Sequence, residues 1–308
     1  MIVRKYFQPE APDPVLDPEF VLSIARRHVP RAERMTGIDE SGGEARVYFI
    51  DDDIVVKTQR PQQLRTWTSL EREVFFLEAL AKADPGVPVP RVLGYGREET
   101  TEYTCMTRMP GDAAVRVGVP DEVRPETLRA LGRVIRRIHA IDQTPFRQSG
   151  LFPEEYTPED LRESLSLGLR GFASTLAERA VPWPLALSVD AFVENVVSRV
   201  PDKALPVALH TNPGPTHTFV DPTAGRFVAL IDFGDAYIGH PVFDLWQWGD
   251  PRDRASVFEG YREAGPLDDD FLRLHTIGEA RADLIAMVRN RPYQERAIEH
   301  LITLTTDW

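Results

Sequence analysis

Apolar residues recur along this chain in two registers. Phe20, Val21 and Ile24 follow at helical spacing after Asp17, which can cap, and Pro18, which suits a first helical position. A second amphipathic helix is predicted around Leu70, Val74, Leu77 and Leu80. Between them the period changes. Gly37, Gly42 and Gly43 punctuate a stretch that continues as RVYFI, a turn of three aspartates, and DIVVK. Its β-branched and aromatic content predicts two antiparallel strands. PGVPVPRVLGYG and EYTCMTRMPG read as a loop and then one or two more strands. After Gly111 the pattern is mostly helical, with apolar faces at Leu128, Leu131, Ile135 and Ile138, at Phe192, Val193, Val196 and Val197, and at Leu274, Ile277, Leu284 and Val288. Thr157-Pro158-Glu159-Asp160 opens one further helix. The order predicts an α+β, bilobal molecule with segregated strands and helices. A small sheet-rich lobe spans 1–108 and a larger helical lobe spans 109–308.

The composition narrows the class. The chain has 308 residues, 42% of them hydrophobic, enough for roughly two domains with a proper core. Its formal net charge is -12, which argues against binding a nucleic-acid backbone. An acidic protein suits a cationic or magnesium-bound substrate, or simply needs solubility. Four of the 36 basic residues are lysines, which makes Lys57 noticeable. One cysteine, Cys105, allows no intrachain disulfide. MIVRKYFQPE lacks the apolar core of a signal peptide, and no apolar run approaches the ~20 residues needed to span a bilayer. A cytoplasmic protein without membrane or nucleic-acid partners is expected. The sequence carries no signal of oligomeric state.

The chemistry concentrates in 207–245. THTFV and RFVALI flank Asp221-Pro222-Thr223-Ala224-Gly225, a turn-forming run, and so predict a β-hairpin. His217 and Asp232 lie at its two open ends. An imidazole and a carboxylate brought together there can share a hydrogen bond or hold a divalent metal.

Residues 210–221 and 232–245 resemble the catalytic loop and metal-binding segment of the aminoglycoside phosphotransferase family, small-molecule relatives of the protein kinases. The family reads H-G-D-x-x-P-x-N-x-x-x-D, then I-D-F/W-G-D/E-A-x-x-G-D-P-x-x-D-L. His210, Pro215, Asp221, Ile231, Asp232, Phe233, Gly234, Asp235, Ala236, Gly239, Pro241, Asp244 and Leu245 stand in register. The resemblance covers most of the chain. It implies a protein-kinase-like fold that uses Mg2+ with ATP or GTP and phosphorylates a small-molecule alcohol. Ser41, Gly42 and Gly43 match the nucleotide flap. Lys57, ending DIVVK, matches the lysine on the phosphates, and Glu73 the helix glutamate that holds it. Thr107 and Met109 match the hinge that binds adenine. Asp232 and His217 fall at the metal positions, and Asn212, His210 and Asp232 at the catalytic ones. His210 and Asp244 brace the loop, and His139 is structural. The segment 150–205 matches the helical insert that forms the acceptor site.

Asn212, His217 and His240 depart from the pattern. Asn212 replaces the catalytic aspartate, and a neutral amide cannot take a proton from a hydroxyl, although it can orient one. Two explanations stay open: a naturally silent relative that binds nucleotide or a partner, or an aspartate replaced to trap a complex. His217 replaces the metal-binding asparagine, but PTHT at 215–218 is similar to the P-G-H-T of the macrolide branch. His240 replaces an aspartate. Glu154, Glu155, Glu159, Asp160 and Glu163 in the insert suit a polyamine acceptor, or simply solvate a helix start. Trp246 and Trp248 are expected to pack in the core. The resemblance implies an antibiotic-like or amino-alcohol acceptor without choosing among them.

Overall fold

The computed structural model describes residues 13–60, 69–98, 101–152, 157–203, 206–289, 291–306 and 308. Of the expected acidic wall, Glu154 and Glu155 lie outside them.

Helix α1 (Pro18–His28) starts where Asp17 Oδ1 accepts the Glu19 and Phe20 amides. Strands β1 (Met35–Asp39), β2 (Ala45–Ile50) and β3 (Ile54–Gln59) follow, then α2 (Ser69–Ala83), β4 (Val92–Glu98) and β5 (Thr101–Thr107). The five strands form one antiparallel sheet in the order β1-β2-β3-β5-β4. Two strands were expected in 37–57, and the structure adds β1. That strand buries neither face fully, so it carries no apolar alternation to read. Both strands of the second expected run, β4 and β5, are present. Cys105 is buried in β5.

From here helices dominate. The short strand β6 (Asp112–Ala113) leads into α3 (Ala114–Val117), α4 (Arg124–His139), α5 (Thr144–Gln148), α6 (Pro158–Glu178) and α7 (Val189–Ser198). Thr157 caps α6 in a capping box with Asp160, as TPED predicts. Strands β7 (Val207–Leu209), β8 (Thr218–Val220), β9 (Phe227–Leu230) and β10 (Tyr237–Gly239) interrupt the helices, followed by a 3-10 turn, Pro241–Asp244. Helices α8 (Pro251–Arg262), α9 (Asp269–Val288) and α10 (Gln294–Leu304) complete the molecule. Among the described residues no helix is long and apolar enough to cross a membrane.

Two apolar clusters hold the fold. One lies between α1 and the sheet, around Ile24, Tyr48, Ile50, Val56 and Cys105. The other runs through the helical part and includes Phe76, Leu77 and Leu80 of α2. Helix α2 therefore belongs by packing to the second cluster, although the chain places it among the strands. Phe76 lies 4.9 Å from Phe146 and 4.9 Å from Phe233, ring centre to ring centre. That contact joins α2 to the segment carrying Asp232.

Candidate active site

The site grows from three elements. β3 is the central strand of the sheet, and the register sets Lys57 opposite Val47 on one side and Thr104 on the other. α2 faces it with Glu73. The β8–β9 hairpin supplies the rest. Its turn is closed by the Asp221 amide on the Arg226 carbonyl, 2.8 Å, with Gly225 at φ +65°. A left-handed φ of this kind is one that glycine adopts at little cost.

Lys57 Nζ donates to Glu73 Oε2 at 2.8 Å and to Asp232 Oδ1 at 2.6 Å. The two carboxylates differ in setting. The Glu73 side chain is 1% exposed and that of Asp232 39%, so Glu73 anchors from inside while Asp232 opens on the cleft. Glu73 Oε1 also accepts the Phe233 amide, 3.2 Å, tying α2 to the residue after Asp232. Burial works against the Lys57 ammonium, but Asp232 and Glu73 outweigh it and hold its pKa well above the usual lysine range. Burial likewise opposes the Asp232 carboxylate, yet Lys57 and His217 keep its pKa well below the usual range. Glu73 is pushed up by burial and only partly drawn back by Lys57.

His217 and Asp232 meet at the hairpin mouth, as the sequence predicts, with Nε2 3.3 Å from Oδ2. His217 Nδ1 lies 2.9 Å from the Asn212 carbonyl. A carbonyl only accepts, so Nδ1 carries the proton. A neutral His217 then turns a bare Nε2 lone pair toward a carboxylate oxygen. Two acceptors at that distance require positive charge between them, a proton or a metal ion.

His210 is placed otherwise. It is buried, Nε2 lies 2.8 Å from the Ile231 carbonyl, and Nδ1 accepts the Asn212 amide at 3.2 Å. Burial drives its pKa down to about 4, matching this neutral tautomer. Both ring nitrogens are spent on backbone, so His210 clamps residues 212 and 231 together. Asp244 supports the same loop: it accepts the His210 amide at 2.9 Å, the Thr211 amide at 2.6 Å and His139 Nε2 at 2.9 Å. Asn212 is exposed at the tip.

The sequence pattern of one family, described as the phosphotransferase enzyme family (APH), matches residues 37–283. The chain belongs to this family. Its fold also resembles solved members. The GDP complex of wild-type aminoglycoside 2'-phosphotransferase-IIIa is 15% identical, covers 93% of this chain and 97% of its own, and has a TM-score of 0.61. The gentamicin complex of APH(2")-IIa is 13% identical over 94% and 96%, at 0.58. Macrolide 2'-phosphotransferase type I is 16% identical over 92% and 96%, at 0.54. At such identities the likeness speaks for the kinase-like α+β fold.

In this phosphotransferase the flap and hinge positions flank Lys57 along β3. Ser41, Gly42 and Gly43 form the β1–β2 turn, next to the Ala45–Gln59 end of the ladder. A side chain at Gly42 would press on the Ala45 carbonyl, so the turn needs glycine there. Thr107 lies at the other end, opposite Ile54. Its N–H is committed to the Arg91 carbonyl at 2.9 Å, which leaves Met109, just beyond β5, as the hinge amide to test.

The sequence reading passed over Thr211 and left His240 without a role. Thr211 stands where the family motif has glycine and adopts φ +78°, strained for a β-branched residue. His240 caps the 3-10 turn, its Nδ1 accepting the Val242 amide at 3.2 Å, a task the aspartate of the motif could also perform. The signal was present in the motif, which has Gly at 211, a left-handed position, and Asp at 240, a cap. Trp248 is buried and donates to the Pro213 carbonyl at 3.1 Å. Trp246 is half-buried against Phe243 and Gly278, so both tryptophans pack. A cavity of about 1030 Å³ lies behind β7 and β10, bounded by Ala140, Leu161, His240, Phe243, Tyr261 and Phe271. Asn212, His217 and Asp232 do not line it.

Proposed function

We propose that this phosphotransferase moves the γ-phosphate of ATP or GTP to an alcohol on a small antibiotic-like or amino-alcohol acceptor, with Asn212 at the position of the base. The observation that carries this reading is Lys57 Nζ bridging Glu73 and Asp232, beside the opposed His217 and Asp232.

Phosphoryl transfer is chiefly positioning and charge stabilisation. Lys57, fixed by Glu73, supplies positive charge to the α/β-phosphates. The Ser41–Gly43 turn, with its Ser41 amide held by Asp39, brings glycine backbone close to phosphate oxygens, and Thr107 and Met109 border the purine. Among the described residues no three His, Cys, Asp or Glu side chains gather as a metal cage. The pair His217 Nε2 and Asp232 Oδ2 offers one nitrogen and one oxygen; a magnesium ion there would be held mainly by Asp232, with oxygens of phosphate and water completing its shell. When bound, that ion would neutralise charge on the transferring phosphate. Asn212 orients the acceptor hydroxyl, while His210 and Asp244 hold its loop. The relatives named in complex with gentamicin and as a macrolide phosphotransferase point to polyamine or macrolide acceptors.

The test begins with calorimetric titration by Mg-ATP and Mg-GTP. Micromolar binding, about -8 kcal/mol, lost in Lys57→Ala, is expected. Asn212→Asp should then raise phosphate transfer across an acceptor panel by about 10²–10⁴-fold. The exposed neutral amide at 212 favours a second reading, a silent nucleotide-binding protein. Binding without transfer in either variant would select it.

A further inference from the structure

The β1–β2 turn is exposed at Ser41, Gly42 and Gly43, and a glycine turn of this kind would be loose on its own. Two guanidinium groups grip it. Arg60 belongs to the sheet side: its Nε donates to the Gly42 carbonyl at 3.1 Å and its Nη2 to the Glu40 carbonyl at 3.0 Å. Arg116 comes from α3, outside the sheet. Its Nη2 donates to Asp39 Oδ2 at 2.7 Å and to Ser41 Oγ at 3.1 Å. Ser41 in turn gives both its hydroxyl, 2.6 Å, and its amide, 2.8 Å, to Asp39 Oδ1. Arg116, Ser41 and Asp39 thus close a ring of hydrogen bonds. A fourth member, Asp112, accepts from Arg116 Nη1 at 3.3 Å and holds the guanidinium in line.

The base of Arg116 is fixed to the catalytic loop. The Val115 amide donates to the Pro215 carbonyl at 2.9 Å. β6 pairs with β8, Asp112 opposite Val220 and Ala113 opposite Phe219. One end of this strut therefore rests on the segment that presents Asn212 and His217, and the other on the turn above the Lys57 end of β3.

We propose that Arg116 is a positioning residue that sets the Ser41–Gly43 turn at a fixed height over the catalytic loop, and so controls how tightly the phosphate end of the nucleotide is held. This rests on the phosphotransferase reading. The role is one of placement: Arg116 bonds to the turn and reaches no reacting atom. Its side chain is 49% exposed, and an exposed ion pair contributes little to stability, so removing it leaves the fold intact.

Amide hydrogen exchange on the full chain reads the strut with no nucleotide added. In Arg116→Ala, exchange at residues 41–44 is expected to quicken at least about tenfold, the factor of one charge-assisted hydrogen bond, with Tm within about 3 °C. Unchanged exchange there would overturn the proposal. Titration with Mg-ATP and Mg-GTP gives the second readout. Arg116→Ala and Asp39→Ala should each weaken binding about tenfold, and the double variant no further, because both break one ring. Equal affinity in wild type and Arg116→Ala would also overturn it. Arg116→Lys, which keeps a charge for Asp39 but not the fork, should fall between. A wild-type chain that binds neither nucleotide sinks the phosphotransferase reading instead, a result distinct from both.

Discussion

Thr211 holds a left-handed backbone at φ +78° because its amide is drawn to Asp244 and its hydroxyl to the Asp235 carbonyl at 3.4 Å. A β-branched residue there costs on the order of 1–2 kcal/mol. Thr211→Gly should therefore raise stability by about 1 kcal/mol, read as a higher urea midpoint, with the Asp244 bond retained. Three histidines contribute to the acid limit. Burial lowers His210 and His240 to about 4 and His275 to about 3, below the ordinary 6.5. Between those values the unfolded chain binds more protons than the folded one. Stability is thus full above about pH 6.5 and falls as pH drops toward 4, by about 3 kcal/mol per histidine. His240→Asn keeps a cap and removes one titration. Its urea midpoint should match wild type at pH 7.5 and exceed it at pH 4.5. At this scale the sequence showed Lys57, Glu73 and Asp232, because side-chain chemistry at motif spacing is written in residue names. It hid the strain at Thr211 and the cap at His240, because backbone angle and hydrogen-bond direction are not.

Elements were legible where an apolar period or a cap marked them, while α8 and α10 went unread. α2, α4 and α9 each present apolar residues at helical spacing, and Thr157-Pro158-Glu159-Asp160 announced the start of α6. β7 and β10, of three residues each, are too short for any period to show, although their pairing, Leu209 to Tyr237, delivers His210 to its place. The β8–β9 hairpin was readable from its turn, and with it the meeting of His217 and Asp232. What no pattern revealed is how closely α4 and α8 cross. A Cβ on Gly132 would collide with the Val257 carbonyl, and one on Gly260 with the Arg129 carbonyl. Backbone cannot yield there as a side-chain tip can. Gly132→Ala should cost at least about 3 kcal/mol, at the upper end of overpacking, seen as a loss of Tm or of soluble protein. Ala at Gly171, where α6 leaves open space, serves as the control.

In the whole molecule, strands and helices divide as the sequence order implied, but the apolar core does not follow that division. Phe76, Leu77 and Leu80 lie in one cluster with α4, α8 and α9, while Glu73 of the same helix meets Lys57 on the sheet. The chain order concealed this, since packing partners far apart in sequence leave no periodic trace. Phe76→Ala should remove about 3–5 kcal/mol of stability and also weaken nucleotide binding, although Phe76 is far from any phosphate in role. Urea unfolding and calorimetry on the one variant would check both. The arrangement has a further consequence. In protein kinases the glutamate helix is a lever, and activity is governed by whether it is swung in. Here the helix is wedged by Phe75 and Phe76 against Phe146, Phe152 and Phe233. Moving it would open the core, so the packing opposes separation of Glu73 from Lys57. In this chain the helix that carries the glutamate is built as a fixed brace, set by aromatic packing, rather than as a lever.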